Sequence, residues 1–199
     1  MSIHKEDITA VILAGGQGRR MGGQDKGLLE FDGRLMIEIL IEQLQNQQLD
    51  ILINANRNQA TYRSYGYPVI GDDLKHYQGP LAGFASAMAT VKTSYILTLP
   101  CDSPKLAGNF VDRFIETFNH EKSPVCVAHD GERLQPVYAL IDTGLLDDLK
   151  QFLDSGDRKI DRWYALHHYA QVDFSNEAAM FQNINTPEDQ QRMQQAGHK

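Results

Sequence analysis

The apolar run Ile8-Thr-Ala-Val-Ile-Leu-Ala14 leads directly into Gly15-Gly-Gln-Gly-Arg-Arg-Met-Gly-Gly-Gln-Asp-Lys26. The first seven residues are rich in β-branched side chains without polar interruption beyond one threonine, which is typical of a strand buried on both faces. Six of the chain's 16 glycines lie between Gly15 and Gly27. A buried strand that runs into a glycine-rich loop predicts an α/β sheet whose ligand lies at the carboxyl end of the strands.

The glycine-rich loop is cationic in an acidic chain. Arg19, Arg20 and Lys26 outweigh Asp25, whereas the whole chain carries a formal net charge of -7. Glycines let backbone N–H groups approach a ligand closely, and together with concentrated positive charge this favours a phosphate over a merely solvated loop.

Two common phosphate-binding motifs do not fit this loop. A P-loop requires a Ser or Thr after its Gly-Lys pair, but Lys26 follows Asp25 and precedes Gly27. The dinucleotide fingerprint requires a third glycine where Met21 stands. The loop is therefore expected to bind a nucleotide in another way.

Strand-like and helix-like runs alternate along the rest of the chain. The predicted strands are Ile8–Ala14, Asp50–Asn54, Tyr67–Ile70, Tyr95–Leu99, Pro124–Ala128, Pro136–Ile141 and Tyr169–Phe174. The predicted helices are Met36–Gln47, Phe84–Val91, Asn109–Phe118, Thr143–Leu153, Asp157–His167 and one that starts at Thr186. This order predicts a three-layer α/β fold with a mostly parallel, Rossmann-like sheet and a hairpin around Asp130-Gly131.

The composition is that of one globular domain of 199 residues. We expect a nucleotide-binding half at residues 1–104, an acceptor-binding half at 105–199 and a frayed tail at 194–199. The acidic balance disfavours nucleic acid and anionic membrane surfaces as partners. No apolar stretch reaches the ~20 residues of a membrane span. Cys101 and Cys126 are expected to be buried thiols, which together with the absence of a leader pattern predicts a cytoplasmic protein.

Asp102 is the candidate metal ligand. It follows a predicted buried strand within Pro100-Cys-Asp-Ser-Pro104. Mg²⁺ typically takes one or two carboxylates together with substrate phosphate oxygens. A carboxylate at the strand ends, opposite a cationic glycine loop, fits that need, although a turn or cap residue is the simpler alternative.

Other polar residues follow other strands. Asn54 comes after the second strand and Asp72 after the third, and Asn183 and Asn185 precede the last predicted helix. The turn Gly79-Pro-Leu-Ala-Gly83 offers the free N–H groups of a helix start. Each has an ordinary interpretation as a turn residue, but all are expected at the ligand-binding edge of the sheet.

Two weaker candidates lie in the second half. Arg158-Lys159 is either a solvated pair or a clamp for a second anionic substrate. His167-His168 has no third ligand at metal spacing and is expected to be a surface pair.

These motifs resemble those of the molybdenum cofactor guanylyltransferases. The stretch from Leu13 to Lys26 carries the signature of the wider nucleotidyltransferase superfamily, whose fold is that of the nucleotide-diphospho-sugar transferases. The narrower signals run along nearly the whole chain. They are Met21-Gly-Gly-Gln-Asp-Lys-Gly27, Asn54-Ala-Asn-Arg57, Gly79-Pro-Leu-Ala-Gly83, Pro100-Cys-Asp-Ser-Pro104, Asp130-Gly-Glu-Arg133 and Asn183-Ile-Asn-Thr-Pro187.

The resemblance implies transfer of GMP from GTP to the terminal phosphate of a molybdopterin-type cofactor, with Mg²⁺ and release of diphosphate. The implied catalytic residues are Lys26, Asp102 and Arg19, with Asp102 on the metal. The implied GTP-binding residues are Leu13, Ala14, Gly15, Gly16, Lys26, Asn54, Asp72, Gly79, Pro80, Gly83 and Asp102. The acceptor residues expected are Arg19, Arg158, Lys159, Asn183 and Asn185. Proteins that deliver molybdopterin or mature molybdoenzymes are the expected partners.

Three alternatives remain open at the level of sequence. A nucleotidyltransferase that acts on a sugar phosphate, or a cytidylyltransferase of the same cofactor class, would keep the glycine loop, Lys26 and Asp102 and differ in how it binds the base. A nucleotide-binding module without turnover would not need a metal carboxylate. A redox Rossmann module is disfavoured by Met21.

Overall fold

The computed structural model describes residues 2–15, 24–72, 79–184 and 189. Its main sheet has seven strands: β1 (Ile8–Leu13), β4 (Asp50–Asn54), β5 (Val69–Ile70), β6 (Tyr95–Pro100), β7 (Val125–His129), β8 (Leu134–Asp142) and β9 (Tyr169–Asp173). They lie in the order β5-β4-β1-β6-β8-β7-β9. A separate two-stranded ribbon is formed by β2 (Glu30–Phe31) and β3 (Arg34–Leu35).

Only β8 runs against its neighbours in the main sheet of the described chain. It pairs antiparallel with β6 and β7, whereas the pairs β1–β4, β1–β6, β4–β5 and β7–β9 are parallel. The mostly parallel sheet and the predicted hairpin between β7 and β8 are thus confirmed. The carboxyl ends of six strands meet at one edge, where the β7–β8 turn also lies.

Six α-helices cover the two faces of the sheet in the described residues: α1 (Met36–Asn46), α2 (Gln59–Arg63), α3 (Pro80–Thr90), α4 (Phe110–Glu121), α5 (Leu146–Asp154) and α6 (Ile160–Tyr164). Side chains alternate across a strand. Ile12 of β1 accordingly packs in the core with α1 and α4, and Val11 packs in the core with α3, α5 and α6. This confirms the three-layer architecture.

Element bounds differ from the predictions mainly where a turn was expected. The third helix begins at Pro80 rather than Phe84, because Gly79 with φ 118° precedes it and proline is well placed in the first helical turn. Gly83 is therefore inside α3 rather than in the turn before it. Strand β5 is shorter than predicted, and α6 covers only Ile160–Tyr164 of the predicted helix 157–167. The predicted helix start at Thr186 and the tail 194–199 lie outside the described residues.

Both thiols are buried, as expected, and neither forms a disulfide. Burial raises the pKa of the Cys126 thiol to about 12, and burial together with the nearby Asp102 raises that of Cys101 well above its usual range. None of the helices in the described ranges is long and apolar enough to span a bilayer.

Candidate active site

Lys26 and Asp102 form an ion pair although 76 residues separate them in the chain. Lys26 Nζ lies 2.7 Å from Asp102 Oδ2. Lys26 opens a short 3-10 turn, Lys26–Leu28, and Asp102 follows the end of β6. Both side chains are largely shielded, with 26% of Lys26 and 11% of Asp102 exposed.

The second carboxylate oxygen of Asp102, Oδ1, is buried. Within the described part of the chain, Asp102 Oδ1 has no hydrogen-bond donor. An unsatisfied buried polar atom costs about 1–3 kcal/mol, and more when it is charged. Such a cost is expected to be relieved when a cation or a hydrogen-bond donor binds there.

A single carboxylate suits a metal that a substrate brings with it. No group of three or more His, Cys, Asp or Glu side chains among residues 2–15, 24–72, 79–184 and 189 could hold a metal ion by itself. Mg²⁺ is commonly bound through one or two carboxylates plus phosphate oxygens and water. The partnerless Asp102 Oδ1 therefore fits a magnesium ion that arrives with a phosphorylated ligand.

A second polar cluster lies at the end of β4 and β5. Asn54 Nδ2 donates to Asp72 Oδ1 at 3.0 Å, and Asn56 Nδ2 donates to Asp72 Oδ2 at 2.6 Å. The backbone N–H of Asp72 donates to Asn56 Oδ1 at 2.8 Å. Asp72 is thus fixed by two neutral amides, one at the end of β4 and one in the bend that follows it.

Two glycines allow this cluster to form close to the backbone. A Cβ on Gly15 would lie 3.0 Å from Asn56 Nδ2. A Cβ on Gly83 would lie 2.9 Å from Leu13 Cδ2 and 3.0 Å from Asn54 Oδ1. A side chain at Gly15 would require Asn56 to shift, and one at Gly83 would require Leu13 and Asn54 to shift, by a few tenths of an ångström.

Leu13 connects the two clusters. In the sheet it is paired with Asn54 on one side and Pro100 on the other. Its carbonyl accepts from Cys101 N at 3.2 Å, and the next residue, Ala14, donates its N–H to Asn54 O at 2.8 Å. The end of β1 therefore lies between the Asp72 cluster and the Asp102 pair.

The segment near the end of the described chain also reaches Asp102. Ile184 N donates to Asp102 O at 2.8 Å, and the buried Ser103 Oγ donates to Asn183 Oδ1 at 2.7 Å. Asn183 is thus beside the Asp102 turn, as an edge-of-sheet prediction requires.

Arg158 and Lys159 lie in the exposed loop between α5 and α6. Their backbone N–H groups both donate to Asp157 Oδ1, at 2.7 and 3.0 Å. The hydrogen bond from Arg162, followed by these backbone bonds, lowers the pKa of Asp157 to about 2. Asp157 therefore orders this loop.

The remaining predicted residues fall into two groups. Gly79 and Pro80 are exposed at the start of α3, on the helix that carries Gly83. Gly16, Arg19 and Asn185 lie outside the described residues.

Asn56 and Ser103 were not among the predicted site residues. Asn56 lies in the bend just after β4, and the second asparagine of Asn54-Ala-Asn-Arg57 is the signal that could have indicated it. Ser103 stands next to Asp102, but its bond to Asn183 spans 80 residues and leaves no trace in local spacing.

This edge of the sheet combines complementary chemistries. The Lys26 ammonium and the partnerless oxygen of Asp102 suit phosphates accompanied by a cation. The amide-held Asp72 carboxylate suits a ligand with several N–H donors. Such an arrangement can bind a nucleotide and neutralise charge that develops during phosphoryl transfer.

The comparison with known proteins also indicates a nucleotidyltransferase. The MobA-like NTP transferase domain matches residues 10–172. A protein named molybdenum cofactor guanylyltransferase from Shewanella sediminis is 48% identical over 189 residues, covering 95% of this chain and 96% of the relative. One of the same name from Shewanella halifaxensis is 49% identical, covering 95% and 94%. The crystal structure of molybdopterin-guanine dinucleotide biosynthesis protein A from Archaeoglobus fulgidus superposes with a TM-score of 0.78 at 21% identity, covering 96% of this chain and 98% of the other.

Proposed function

Because this chain belongs to the family of MobA-like NTP transferases, we propose that it transfers GMP from GTP to the terminal phosphate of a molybdopterin-type cofactor and releases diphosphate. The name carried by its curated relatives supports the guanylyl donor and the molybdenum cofactor acceptor. The observation that carries the proposal is the Lys26–Asp102 pair, with its partnerless oxygen, at the same sheet edge as the Asp72 cluster.

The reaction needs charge neutralisation rather than a base. A phosphate monoester has a second pKa of ~6, so the acceptor oxygen is already a nucleophile at neutral pH. It attacks the α-phosphorus of GTP, a P–O bond forms there, and the bond to the β-phosphate oxygen breaks with diphosphate as the leaving group. Two anions must meet, which makes alignment and positive charge the main requirements.

Lys26 supplies that charge from the protein. Its ammonium is held by Asp102 and its side chain is 26% exposed, so the side chain remains accessible to the phosphates of a nucleotide. Asp102 is proposed to hold Mg²⁺ through Oδ1, and the bound ion supplies further neutralisation of phosphate charge. Arg19, in the same cationic loop, is proposed to assist the incoming acceptor phosphate.

The base is proposed to be selected by the Asp72 cluster. Guanine presents two N–H donor groups side by side on its Watson–Crick edge. An ionised carboxylate has about four lone-pair sites, so Asp72 can accept from a base while Asn54 and Asn56 still hold it. Backbone groups at Leu13–Ala14 and at the start of α3, from Gly79 to Gly83, are proposed to complete the site. A wrong base would leave buried polar groups unpaired, which is how large discrimination arises.

The second half of the chain is proposed to hold the acceptor. Asn183, beside Asp102, supports this placement. Arg158, Lys159 and Asn185 are proposed as further contacts to the acceptor, in a cytoplasmic enzyme that exchanges substrate with molybdopterin-delivering and molybdoenzyme-maturing proteins.

The test is diphosphate release from GTP, CTP and ATP, each with Mg²⁺ and a molybdopterin-loaded acceptor. We expect release with GTP well above that with the other nucleotides. Faster release with CTP would assign the protein to the cytidylyltransferases. Nucleotide binding without release from any triphosphate would make it a binding module.

A further inference from the structure

Asp25, the residue before Lys26, is a buried carboxylate held by hydrogen bonds. It is 8% exposed. Tyr62 Oη donates to its Oδ1 at 2.6 Å, Asn58 Nδ2 to its Oδ2 at 3.1 Å and Gly27 N to its Oδ1 at 3.3 Å. Burying a carboxylate is costly unless such donors satisfy it. Three hydrogen-bond donors thus converge on the Asp25 carboxylate, next to the proposed phosphate-binding Lys26.

Tyr62 is the main buried donor to Asp25. Its side chain is fully buried on α2. Burial, with further contributions from nearby Cys101 and Asp25, raises the pKa of the Tyr62 hydroxyl well above its usual range. The hydroxyl therefore stays protonated and remains a donor to Asp25 at any working pH.

Gly27, the residue after Lys26, lies between Tyr62 and the Asp102 turn. A Cβ on Gly27 would lie 2.6 Å from Tyr62 Oη and 3.4 Å from Cys101 Cβ. Cys101 immediately precedes Asp102. Tyr62 thus bonds to the residue before Lys26 and leaves no room for a side chain on the residue after it, which lies close to Cys101.

We propose that Tyr62 is a positioning residue for phosphate transfer: through Asp25 and Gly27 it holds the backbone of Lys26 so that the ammonium meets Asp102 and the nucleotide phosphates. This inference rests on the proposed function for its meaning in catalysis. Tyr62 touches no reacting atom and acts only through Lys26.

The first test compares Tyr62→Phe with Tyr164→Phe. Both remove a buried hydroxyl, and that of Tyr164 donates to Pro136 O in the core on the other face of the sheet. Misplacement of a positioned group can cost up to about 100-fold in rate. We expect Tyr62→Phe to lower kcat for diphosphate release about tenfold, with a smaller change in KM for GTP, and Tyr164→Phe to leave kcat unchanged.

The effect must pass through Lys26. In a Lys26→Ala background, adding Tyr62→Phe is expected to change kcat less than twofold, because the group being positioned is gone. An equal tenfold loss in both backgrounds would overturn the inference, as would an unchanged kcat in Tyr62→Phe alone.

The close contact at Gly27 offers a rescue experiment. Gly27→Ala places a methyl group against Tyr62 Oη and is expected to impair activity or folding. Adding Tyr62→Phe removes that oxygen, so the double variant is expected to regain solubility, melting temperature or kcat relative to Gly27→Ala. A double variant that regains none of these three properties would contradict the proposed contact between Tyr62 and Gly27.

A labelling measurement decides the inference without turnover. Acetylation of Lys26, followed by mass spectrometry and referenced to the exposed Lys150, is expected to be severalfold faster in Tyr62→Phe than in wild type or Tyr164→Phe. If wild type releases no diphosphate, the proposed function fails while labelling still tests the positioning of Lys26. If wild type is active and Tyr62→Phe matches it in kcat and labelling, the inference fails and the function stands.

Discussion

Two aspartates follow strands at the same edge of the sheet, and their surroundings differ in kind. Asp72, after β5, has both oxygens bonded to neutral amides. Asp102, after β6, has one oxygen on a lysine and the other buried with no donor from the described residues. The same side chain is thus a satisfied acceptor in one place and an incomplete cation site in the other.

The difference supports the proposed division of this edge into a part that recognises the base and a part that transfers phosphate. Neutral amides hold Asp72 in place without cancelling its charge, which suits the selection of a donor-bearing base. A lysine and a free lone pair at Asp102 suit phosphates and a metal ion. Changes at the two aspartates should therefore have effects of different size and on different parameters.

The largest effect is expected from Asp102→Asn. This change keeps the shape of the side chain and removes the charge that faces Lys26. Loss of a transition-state charge contact typically costs about 100- to 1,000-fold in kcat. Diphosphate release should fall by at least that lower bound while the melting temperature stays within a few degrees of wild type. Near-normal turnover at ordinary Mg²⁺ would end the assignment of Asp102 to the metal.

Lys26→Ala is expected to have the next largest effect. Removing the ammonium should lower kcat/KM for GTP by about 10- to 100-fold, which corresponds to one or two charge-assisted hydrogen bonds to phosphate. Wild-type GTP binding should weaken as salt is raised, and that dependence should be shallower in the variant. Titration calorimetry across a salt series checks both; identical salt slopes would place the phosphates elsewhere.

Gly83→Ala tests the Asp72 side of the comparison. Alanine favours a helix interior over glycine by about 1 kcal/mol, yet its Cβ would crowd Leu13 and Asn54. We expect GTP affinity to drop severalfold, with kcat at saturating GTP less affected than in the Asp102 variant. Gly108→Ala is the control, because a Cβ there meets nothing within 4 Å. Equal GTP affinity in both variants would show that Asn54 takes no part.

The smallest effect is expected from Asp157→Asn, at a carboxylate that is already paired with Arg162. Because its folded pKa is lowered to about 2, its contribution to stability is full above the ordinary value near 4. That contribution is lost as pH falls from about 4 towards 2. The variant should therefore unfold at slightly lower urea than wild type at pH 6, and the gap should narrow at pH 3. A gap that widens on acidification would contradict the pairing.

The sequence predicted well those features that depend on local pattern. Buried strands read as apolar runs, so the positions of Asp102, Asn54 and Asp72 at the strand ends follow from the order of residues alone. The ribbon of β2 and β3 was not predicted, because two-residue strands are too short to show an alternation of apolar and polar residues. Asp32-Gly33 between them is nevertheless a turn signal.

Contacts across the chain could not be predicted in the same way. The partners of Lys26, Asp25 and Ser103 are 76, 37 and 80 residues away, and nothing in local spacing encodes such pairs. The family resemblance implied a set of site residues, which stay predictions, but only tertiary packing shows that Tyr62 lies against Gly27 beside Lys26.

The two buried thiols can report separately on how the two halves of the chain open. Cys101 precedes Asp102 in the proposed nucleotide half, and Cys126 lies within β7 in the other half. Thiol reagents attack the thiolate, so each cysteine should be modified only when its own surroundings open. Equal modification rates would mean that both halves open as one cooperative unit. If Cys101 is modified faster than Cys126 and GTP slows its modification, the proposed catalytic edge opens independently of the other half. Nucleotide binding would then suppress that opening.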